Sequence, residues 1–202
     1  MKLAWGNKVS PEFKNKLLEI CRNFRWTDNH ASWLMSCIAF ESGETFSPKI
    51  LNQGGSGAVG LIQFMPKTAE TLGVSSTILA SMTPEQQLEY VRKYFAPYAS
   101  KINTLEDMYM AILWPAAIGK PNDYPLFTDG TAAYRANSPL DKDTDGKVTK
   151  LEASSFVAQK YAKGLGYGYT SEEESIETNQ ETILSIVNEI DMLLSKLKEN
   201  IT

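Results

Sequence analysis

The chain has 202 residues, of which 43% are apolar and 22% are charged, and this allows one globular domain with a real core plus an appendage. It contains no run of 18 apolar residues, so a membrane span is not expected. The net charge is −4, but residues 172–202 carry eight acidic and two basic residues and leave about +2 on the remainder. A mildly basic body suits an anionic polymer such as a cell wall, and the excess is too small to indicate nucleic-acid binding.

The histidine and cysteine content excludes two classes of catalytic or metal site. The single histidine, His30, stands next to a predicted helix start, where a capping or surface role is expected, and no nucleophile motif accompanies it to form a Ser-His-Asp triad. One histidine and two cysteines are too few for a zinc site. Cys21 and Cys37 fall on apolar faces of predicted helices, which favours two buried, reduced thiols over a disulfide.

Helix signals follow one another along most of the chain. Ser10-Pro11 predicts a helix start, with serine as the N-cap and proline in the first turn. Further starts are predicted near residues 27–29, at Pro66, at Thr83 with Gln86 completing a capping box, and at Thr104. No stretch alternates convincingly with a period of two, so no strand is predicted. The body is therefore predicted to be an all-α bundle, with loops near residues 43–60 and 118–130.

Glu41 stands where helical periodicity expects an apolar side chain. It follows Leu34 by seven residues and Cys37 by four, which places its carboxyl on the buried face of a helix that Gly43 can end. Burial raises the pKa of a carboxyl, so near neutral pH Glu41 could still hold the proton that a general acid gives away. The alternatives are a buried glutamate paired with a lysine or arginine, and an exposed residue at a helix end.

A glycine-rich loop follows this helix, and its glycines allow the backbone to lie close to an extended ligand. Two separated motifs, E-S-G at residues 41–43 and G-A-V-G-L-I-Q-F-M-P-K-T-A at residues 57–69, resemble the soluble lytic transglycosylase and goose-type lysozyme family. The resemblance covers about residues 37–73 and is specific, because both motifs agree in order and spacing.

This resemblance implies an all-α, lysozyme-like fold and cleavage of the β-1,4 bond between N-acetylmuramic acid and N-acetylglucosamine in peptidoglycan, with Glu41 as general acid and then base. The substrate-binding residues that it implies are Ser42, which orients Glu41, Gly57, Gln63 and Phe64. The family's third segment, of the A-Y-N-A-G type, is not present in standard form. Its nearest counterparts are residues 109–119 and 134–137, which makes Tyr109 and Tyr134 the candidates for the far wall of the cleft.

The resemblance leaves the reaction outcome open. A lytic transglycosylase forms a 1,6-anhydro product and needs no second catalytic carboxylate, and this outcome is favoured. A hydrolytic lysozyme needs a second carboxylate to position water, for which Glu44 and Asp107 are possible. A hypothesis of another class is a non-catalytic peptidoglycan-binding or structural module, which would have no need to bury Glu41.

Residues 141–152 read D-K-D-T-D-G-K-V-T-K-L-E and satisfy the EF-hand calcium-loop pattern at every specified position. The predicted calcium ligands are Asp141, Asp143, Asp145, Lys147 through its carbonyl, Thr149 and Glu152. A helix from about Lys150 to Lys163 would leave the loop, whereas the entry helix is short and is interrupted by Pro139. A lone loop of this kind suits a structural ion better than signalling, and we expect calcium to hold residues 134–160 against the cleft. The alternative is a solvated acidic turn.

The last part of the chain is predicted to be a separate unit. Residues 1–169 would form the lysozyme-like domain with its calcium loop, and residues 170–202 an acidic linker and an amphipathic helix whose apolar stripe runs from Ile176 to Ile201. The stripe spans about three heptads, fewer than a coiled-coil prediction needs. Packing on the body is favoured over pairing with a second copy or with a phage or secretion-apparatus partner.

The first residues, MKLAWGNKVSPEF, lack the apolar core of a secretory signal. We therefore expect a protein that is made in the cytoplasm and acts on the bacterial cell wall. Its arrangement resembles that of phage-encoded wall-degrading proteins, whether endolysins or virion proteins, and of effectors delivered by contractile systems.

Overall fold

Most of the chain is helical in the computed structural model, which describes residues 1–52 and 54–199, and the predicted all-α class is confirmed. The α-helices of the described residues are α1 (Pro11–Asn23), α2 (Asp28–Glu41), α3 (Pro66–Thr71), α4 (Ser76–Ser81), α5 (Pro84–Phe95), α6 (Leu105–Leu113), α7 (Ala132–Asn137), α8 (Lys150–Gly164) and α9 (Ile176–Glu199). Their strands are β1 (Lys2–Leu3), β2 (Pro125–Thr128), β3 (Lys147–Thr149) and β4 (Ser171–Glu172). Short 3₁₀ turns lie at Gly6–Lys8, Ala99–Lys101, Pro115–Ala117 and Ser138–Leu140.

The helix starts that were predicted from capping residues are confirmed. The Ser10 hydroxyl accepts a hydrogen bond from the backbone N–H of Phe13 at 3.0 Å, and Thr83 forms a capping box with Gln86. At the start of α2, the backbone N–H of Thr27 donates to Nδ1 of His30 at 3.2 Å, so the single histidine is a capping residue. These side chains satisfy backbone N–H groups that have no partner within the first turn of a helix.

Helix α2 is the centre of the core, with α6 and α8 packed against it and α1 and β1 completing its surroundings. Its buried residues are Ala31, Ser32, Leu34, Met35, Ser36, Cys37, Ile38 and Ala39. A helix that is apolar on nearly all sides is typical of a position inside the core. Cys21 and Cys37 are both buried and free, as predicted. Glu41 is the last residue of this central helix, and its position is therefore fixed by packing from several directions.

The prediction that the chain has no strand is wrong in detail, because two small antiparallel sheets are present. Strand β1 pairs with β4, and β2 pairs with β3. The four strands contain only two to four residues each. A period of two cannot be recognised over so few residues, so the sequence carries no usable signal for them.

Residues 170–175, which were predicted to be an acidic linker, form hydrogen bonds and an ion pair with the body. Glu173 forms an ion pair of 2.7 Å with Lys14, and β4 completes a sheet with the N-terminal strand. Asp28 accepts a hydrogen bond of 2.7 Å from the backbone N–H of Ile176 and one of 2.8 Å from the Ser175 hydroxyl, so it caps the start of α9. A polar, acidic composition indicated a linker, but these groups find cationic and hydrogen-bonding partners far away in the sequence.

The apolar face of α9 is exposed over residues 183–194. Ile176 is fully buried, whereas eight apolar side chains between Ile183 and Leu194 are 45–61% exposed. The expectation that this stripe packs on its own body is therefore wrong for residues 183–194, and Ile201 lies outside the described residues.

None of the helices in the described parts of the chain combines the length and the apolar character that crossing a bilayer requires.

A buried glutamine fixes the loop that follows α2. Gln87 is fully buried on α5 and accepts a hydrogen bond of 2.7 Å from the backbone N–H of Leu61. Its amide nitrogen donates to the carbonyls of Pro48 at 3.2 Å and Leu79 at 2.9 Å. A Cβ atom at Gly60 would lie 2.3 Å from Oε1, the side-chain amide oxygen of Gln87, so only glycine fits there. One side chain thus joins the glycine-rich loop to α4 and α5.

We expect replacement of Gln87 by leucine to lower the free energy of unfolding by about 2–4 kcal/mol, because one buried N–H and two buried carbonyls lose their partner. Urea denaturation followed by circular dichroism measures this change. The matched control is Gln86→Leu in the exposed capping box next to it, which should cost about 1 kcal/mol or less. Equal losses in the two variants would contradict the role assigned to Gln87.

Candidate active site

The carboxyl of Glu41 is mostly buried and has no hydrogen-bond or ion-pair partner within the described residues. Burial raises its pKa from 4.5 to about 7. No nearby cation offsets the cost of removing the charged form from water, so the neutral acid is the favoured form up to about neutral pH. The alternative of a glutamate paired with lysine or arginine is thus not what the structure shows, and Glu41 can serve as a proton donor.

Two tyrosines border Glu41. Burial raises the pKa of Tyr94 and of Tyr109 above 10, and the charge of Glu41 adds to both shifts, which places both phenols close to this carboxyl. The Tyr94 hydroxyl donates to the Ala111 carbonyl at 2.7 Å, and the Tyr109 ring packs edge-on against Phe40 at 5.6 Å between centroids. Both phenols therefore keep their protons over the pH range in which Glu41 titrates.

A groove runs past Tyr94 on the protein surface. Its main cavity, of about 410 Å³, lies between α3, α5 and Pro115, and a smaller one of about 80 Å³ lies under the loop before α3. Tyr94 and Thr68 line both cavities. Glu41 lies outside both linings, and Tyr94 is the lining residue whose pKa its charge helps to raise. Met65 lines the smaller cavity and is 47% exposed, and Trp114, next to Pro115 in the sequence, is 41% exposed.

Tyr94 was missed by the sequence analysis. It lies on α5 between Val91 and Tyr98, at the helical spacing of that helix's apolar stripe, and this is the signal that could have identified it. A tyrosine on such a stripe looks like a core residue until its neighbours are known. The structure shows instead that Tyr94 lines both cavities of the groove.

Gly57 and Gln63 shape the loop that forms one side of the groove. Gly57 adopts φ +75°, and a Cβ atom there would lie 3.1 Å from the Pro66 ring. Gln63 also has a positive φ, of 52°, and its amide nitrogen donates to the carbonyls of Ile50 and Gly60 at 3.1 and 3.2 Å. Its side-chain oxygen has no partner in the described part of the chain, and Gln63 lines the smaller cavity. That oxygen is available to accept a hydrogen bond from a ligand.

Ser42 and Phe64, predicted to bind substrate, are supporting residues in this structure. Ser42 is fully buried, and its hydroxyl donates to the Ile38 carbonyl at 2.7 Å and accepts from the Phe46 N–H at 3.0 Å. Phe64 is 2% exposed and packs against Tyr94 at 6.1 Å between ring centroids. Both side chains are buried in this structure, so neither presents a surface to a ligand.

The segment behind Glu41 is held in an unusual backbone conformation. Gly43, Glu44 and Phe46 have φ values of 60°, 66° and 53°, in the left-handed region that non-glycine residues rarely adopt. The bonds of Ser42 bridge this segment to α2. Strain of this kind is retained only where the surrounding structure determines it, as is common next to functional groups.

The two carboxylates that were considered as a second catalytic group are both engaged elsewhere. Glu44 pairs with Lys160 at 2.5 Å and Lys163 at 2.6 Å, and these two hydrogen bonds lower its pKa. Asp107 pairs with Lys150 at 2.6 Å, and both side chains are at least 95% buried. Asp107 is therefore held by a lysine in the interior, whereas Glu44 is held by two lysines at the surface.

The two tyrosines predicted for the far wall have different locations. The Tyr109 side chain is only 4% exposed, and the charge of Glu41 contributes to its raised pKa. Tyr109 therefore belongs to the buried side of the site. Tyr134 donates its hydroxyl to Oδ2 of Asp141 at 2.7 Å and therefore belongs to the predicted calcium loop. The structure does not bring Tyr134 to the groove.

The predicted calcium loop has a preformed turn. Carboxylate oxygens of Asp141, Asp143 and Asp145 lie within 4.8 Å of one another, and Gly146 adopts φ +84° at the bend. The sixth predicted ligand, Glu152, accepts hydrogen bonds from the backbone N–H groups of Lys142 at 3.0 Å and Thr149 at 2.8 Å. Strand β3 leaves the turn and contains Lys147 and Thr149, two of the predicted ligands.

Comparison with protein-family models matches residues 26–114 to a family described as Transglycosylase SLT domain. The matched region includes α2 to α6 and ends before the 141–152 loop. Searches of curated proteins and of solved structures gave no significant match. The family resemblance predicted from the two motifs is confirmed, and proteins of this family are enzymes, the peptidoglycan lytic transglycosylases.

We expect Glu41→Gln to stabilise the protein at high pH. The pKa of Glu41 is higher in the folded state than in the unfolded chain, so the stability it contributes is complete below about pH 4.5 and is lost as the pH rises through about 7. The variant should therefore equal wild type near pH 4 and exceed it by on the order of 2 kcal/mol near pH 8. Urea denaturation across this range measures the difference.

Glu44→Gln is the matched control with the opposite sign. The lysines lower the pKa of Glu44, so its stabilising contribution is present above its unfolded pKa and is lost as the pH falls. This variant should be less stable than wild type near neutral pH. A Glu41→Gln variant that loses stability as Glu44→Gln does would show that Glu41 is ionised and paired.

Proposed function

We propose that this chain, whose residues 26–114 match the transglycosylase SLT domain family, cleaves the β-1,4 bond between N-acetylmuramic acid and N-acetylglucosamine with Glu41 as its acid and base. The observation that carries the proposal is the burial of this carboxyl without a cationic partner. A pKa of about 7 leaves the group protonated in the free enzyme and able to accept a proton again later in the reaction.

The reaction requires two proton transfers at the same carboxyl. In the first, Glu41 gives its proton to the glycosidic oxygen as the bond from the muramoyl C1 to that oxygen breaks. In the second, the Glu41 carboxylate removes the proton of the muramoyl 6-hydroxyl as O6 bonds to C1. The products are a free 4-hydroxyl on one fragment and a 1,6-anhydro ring on the other, and Glu41 ends protonated as it began. No water is consumed.

The lysine pairing of the two candidate second carboxylates favours this outcome over hydrolysis. A hydrolytic lysozyme needs a carboxylate about 5–9.5 Å from its acid to act as nucleophile or to activate water. Glu44 and Asp107 are both held by lysines. An intramolecular hydroxyl can replace the activated water.

The groove offers contacts of the kind that a glycan strand needs. The partly exposed Tyr94 and the exposed Trp114 present aromatic surface, on which the C–H face of a pyranose can pack. The free side-chain oxygen of Gln63 can accept a hydrogen bond from an amide or hydroxyl of the sugar. The loop glycines let the chain backbone approach closely.

A non-catalytic peptidoglycan-binding module is the second candidate. A pure binder gains nothing from a buried, unpaired carboxyl, which lowers stability near neutral pH whenever it ionises. The retention of this costly group behind a groove argues for chemistry at Glu41.

We expect Glu41→Gln to lower the rate of cell-wall glycan cleavage by at least about 10²–10⁴-fold, because the amide cannot donate the proton. Glu44→Gln, three residues further along the chain and paired with two lysines, is the control and should stay active. Mass spectrometry of purified peptidoglycan after digestion by wild type should find 1,6-anhydromuramoyl ends.

Products with reducing-end muramic acid would show that the bond is hydrolysed and that the transglycosylase outcome is wrong. Glu41 would still be assigned as the acid. Full activity of Glu41→Gln would contradict the acid assignment. Wild type that binds purified wall without releasing fragments would support the binding module instead.

Action on the bacterial cell wall follows from the family, and the route to the wall and the partners of the chain are our proposals. We propose delivery as a phage-type or effector-type wall-degrading protein, with the exposed apolar face of α9 pairing with a second copy or with an apparatus partner. The exposed Ile183 to Leu194 face supports this pairing, because contiguous apolar surface is typical of an interaction site.

We expect the full chain to form an oligomer through α9, and Ile190→Glu, in the middle of the exposed face, to return it to a monomer. Size-exclusion chromatography with light scattering measures both. Asp191→Asn is a control on the same helix and should not change the mass. A strictly monomeric wild type would remove the homo-oligomer and leave only an external partner.

A further inference from the structure

We propose that the 141–152 loop binds a calcium ion and that the bound ion positions one wall of the groove through Lys150. The first half concerns only the loop and its carboxylates. The second half rests on the proposed function, because it assigns the groove to the glycan. The two halves are connected by a chain of buried polar contacts from the loop to residues 115–124.

The loop holds a carboxylate oxygen that is buried without a partner. Asp141 is 8% exposed, and its Oδ1 has no hydrogen bond in the described part of the chain. Its other oxygen accepts from the Tyr134 hydroxyl at 2.7 Å and from the Gly146 N–H at 3.0 Å. A buried carboxylate oxygen left without a donor is costly, and a cation satisfies it.

The neighbouring groups fit a hard cation with oxygen ligands. Asp143 and Asp145 bring carboxylate oxygens within 4.8 Å of that of Asp141. Lys147, Thr149 and Glu152 stand at the remaining ligand positions of the sequence pattern. Within the described residues no lysine or arginine pairs with the three aspartates, and such a set of carboxylates suits calcium rather than a monovalent ion.

Lys150 transmits the state of the loop to the groove wall. It lies between the predicted ligands Thr149 and Glu152 and is the first residue of α8. Its ammonium group donates to Asp107 on α6 at 2.6 Å and to the carbonyl of Lys120 at 2.9 Å. Asp107 also accepts from the backbone N–H of Gly119 at 2.8 Å. The loop, α6 and residues 119–120 therefore meet at a single buried ion pair.

The backbone reinforces this connection. The N–H of Lys150 donates to the carbonyl of Tyr124 at 2.9 Å, and that of Leu151 donates to Asn122 at 2.9 Å. Strand β3 of the loop pairs with β2, which begins at Pro125, directly after residues 115–124. Residues 115–124 are thus fastened to the start of α8 at several points, and Pro115 at their other end lines the main cavity of the groove. An ion that fixes the start of α8 also fixes this wall.

Thermodynamic reciprocity makes the coupling measurable without activity. If calcium stabilises the arrangement of Lys150 and Asp107, then disrupting that pair must weaken calcium binding by the same factor. Neither Asp107 nor Lys150 contributes a side-chain ligand to the predicted site, so a loss of affinity on changing them reports the connection and not the ligand set.

The experiment is isothermal titration calorimetry of calcium chloride into the full-length chain, repeated for four variants. Wild type and Glu41→Gln should bind one calcium ion equally well, and Asp141→Asn should bind at least about 10-fold more weakly. The double variant Asp107→Leu, Lys150→Met removes the ion pair without leaving a lone buried charge, and it should bind calcium at least about 5-fold more weakly. Glu106→Gln, next to Asp107 and outside any ion pair of the described residues, should bind like wild type.

Three results would overturn the inference in separable ways. No calcium heat and no calcium-dependent shift of Tm for wild type would disprove the metal site. Unchanged calcium affinity in the double variant, or in Asp107→Asn if the double variant does not fold, would disprove the connection. If calcium binds as expected but leaves KM for wall glycan unchanged, the ion does not position the groove wall. A wild type that binds calcium but is inactive would refute the proposed function alone.

Discussion

The arrangement of this protein depends on one carboxyl that is buried without a counter-charge. Glu41 ends the central helix, and because packing surrounds that helix on nearly all sides the carboxyl cannot turn fully into water. Removing a carboxylate from water costs free energy, and because no lysine or arginine of the described residues pairs with it, this cost raises the pKa. Glu41 therefore holds its proton up to about neutral pH, where the proton is available for transfer.

Around this carboxyl, buried polar side chains fix a backbone that could not otherwise hold its shape. Gln87 satisfies three backbone groups of the loop and α4, and Ser42 ties the strained turn behind Glu41 to the helix. Gln63 uses its amide nitrogen for the same purpose and keeps its oxygen free. The groove is thus pre-organised by interior hydrogen bonds, and the residues that shape it are mostly not those that can touch a ligand.

Local signals in the sequence predicted much of this structure. Caps such as Ser10 and Thr83 mark helix starts because they act within one turn, and the apolar period placed Glu41 on a buried face. Partners far away in the sequence could not be predicted in this way. The pairing of Glu44 with Lys160, the burial of Asp107 against Lys150 and the attachment of residues 170–176 each depend on how distant segments meet. Composition alone made the last of these look like a linker.

The most direct test of the central claim is a carbon-13 NMR titration of the Glu41 side-chain carboxyl, with its signal assigned by loss in Glu41→Gln. The account predicts that this carboxyl titrates with a pKa of about 7 in the free protein, because burial is not offset by a cation. A pKa near the ordinary 4.5 would mean that the carboxyl is solvated or paired, and would contradict its assignment as the proton donor.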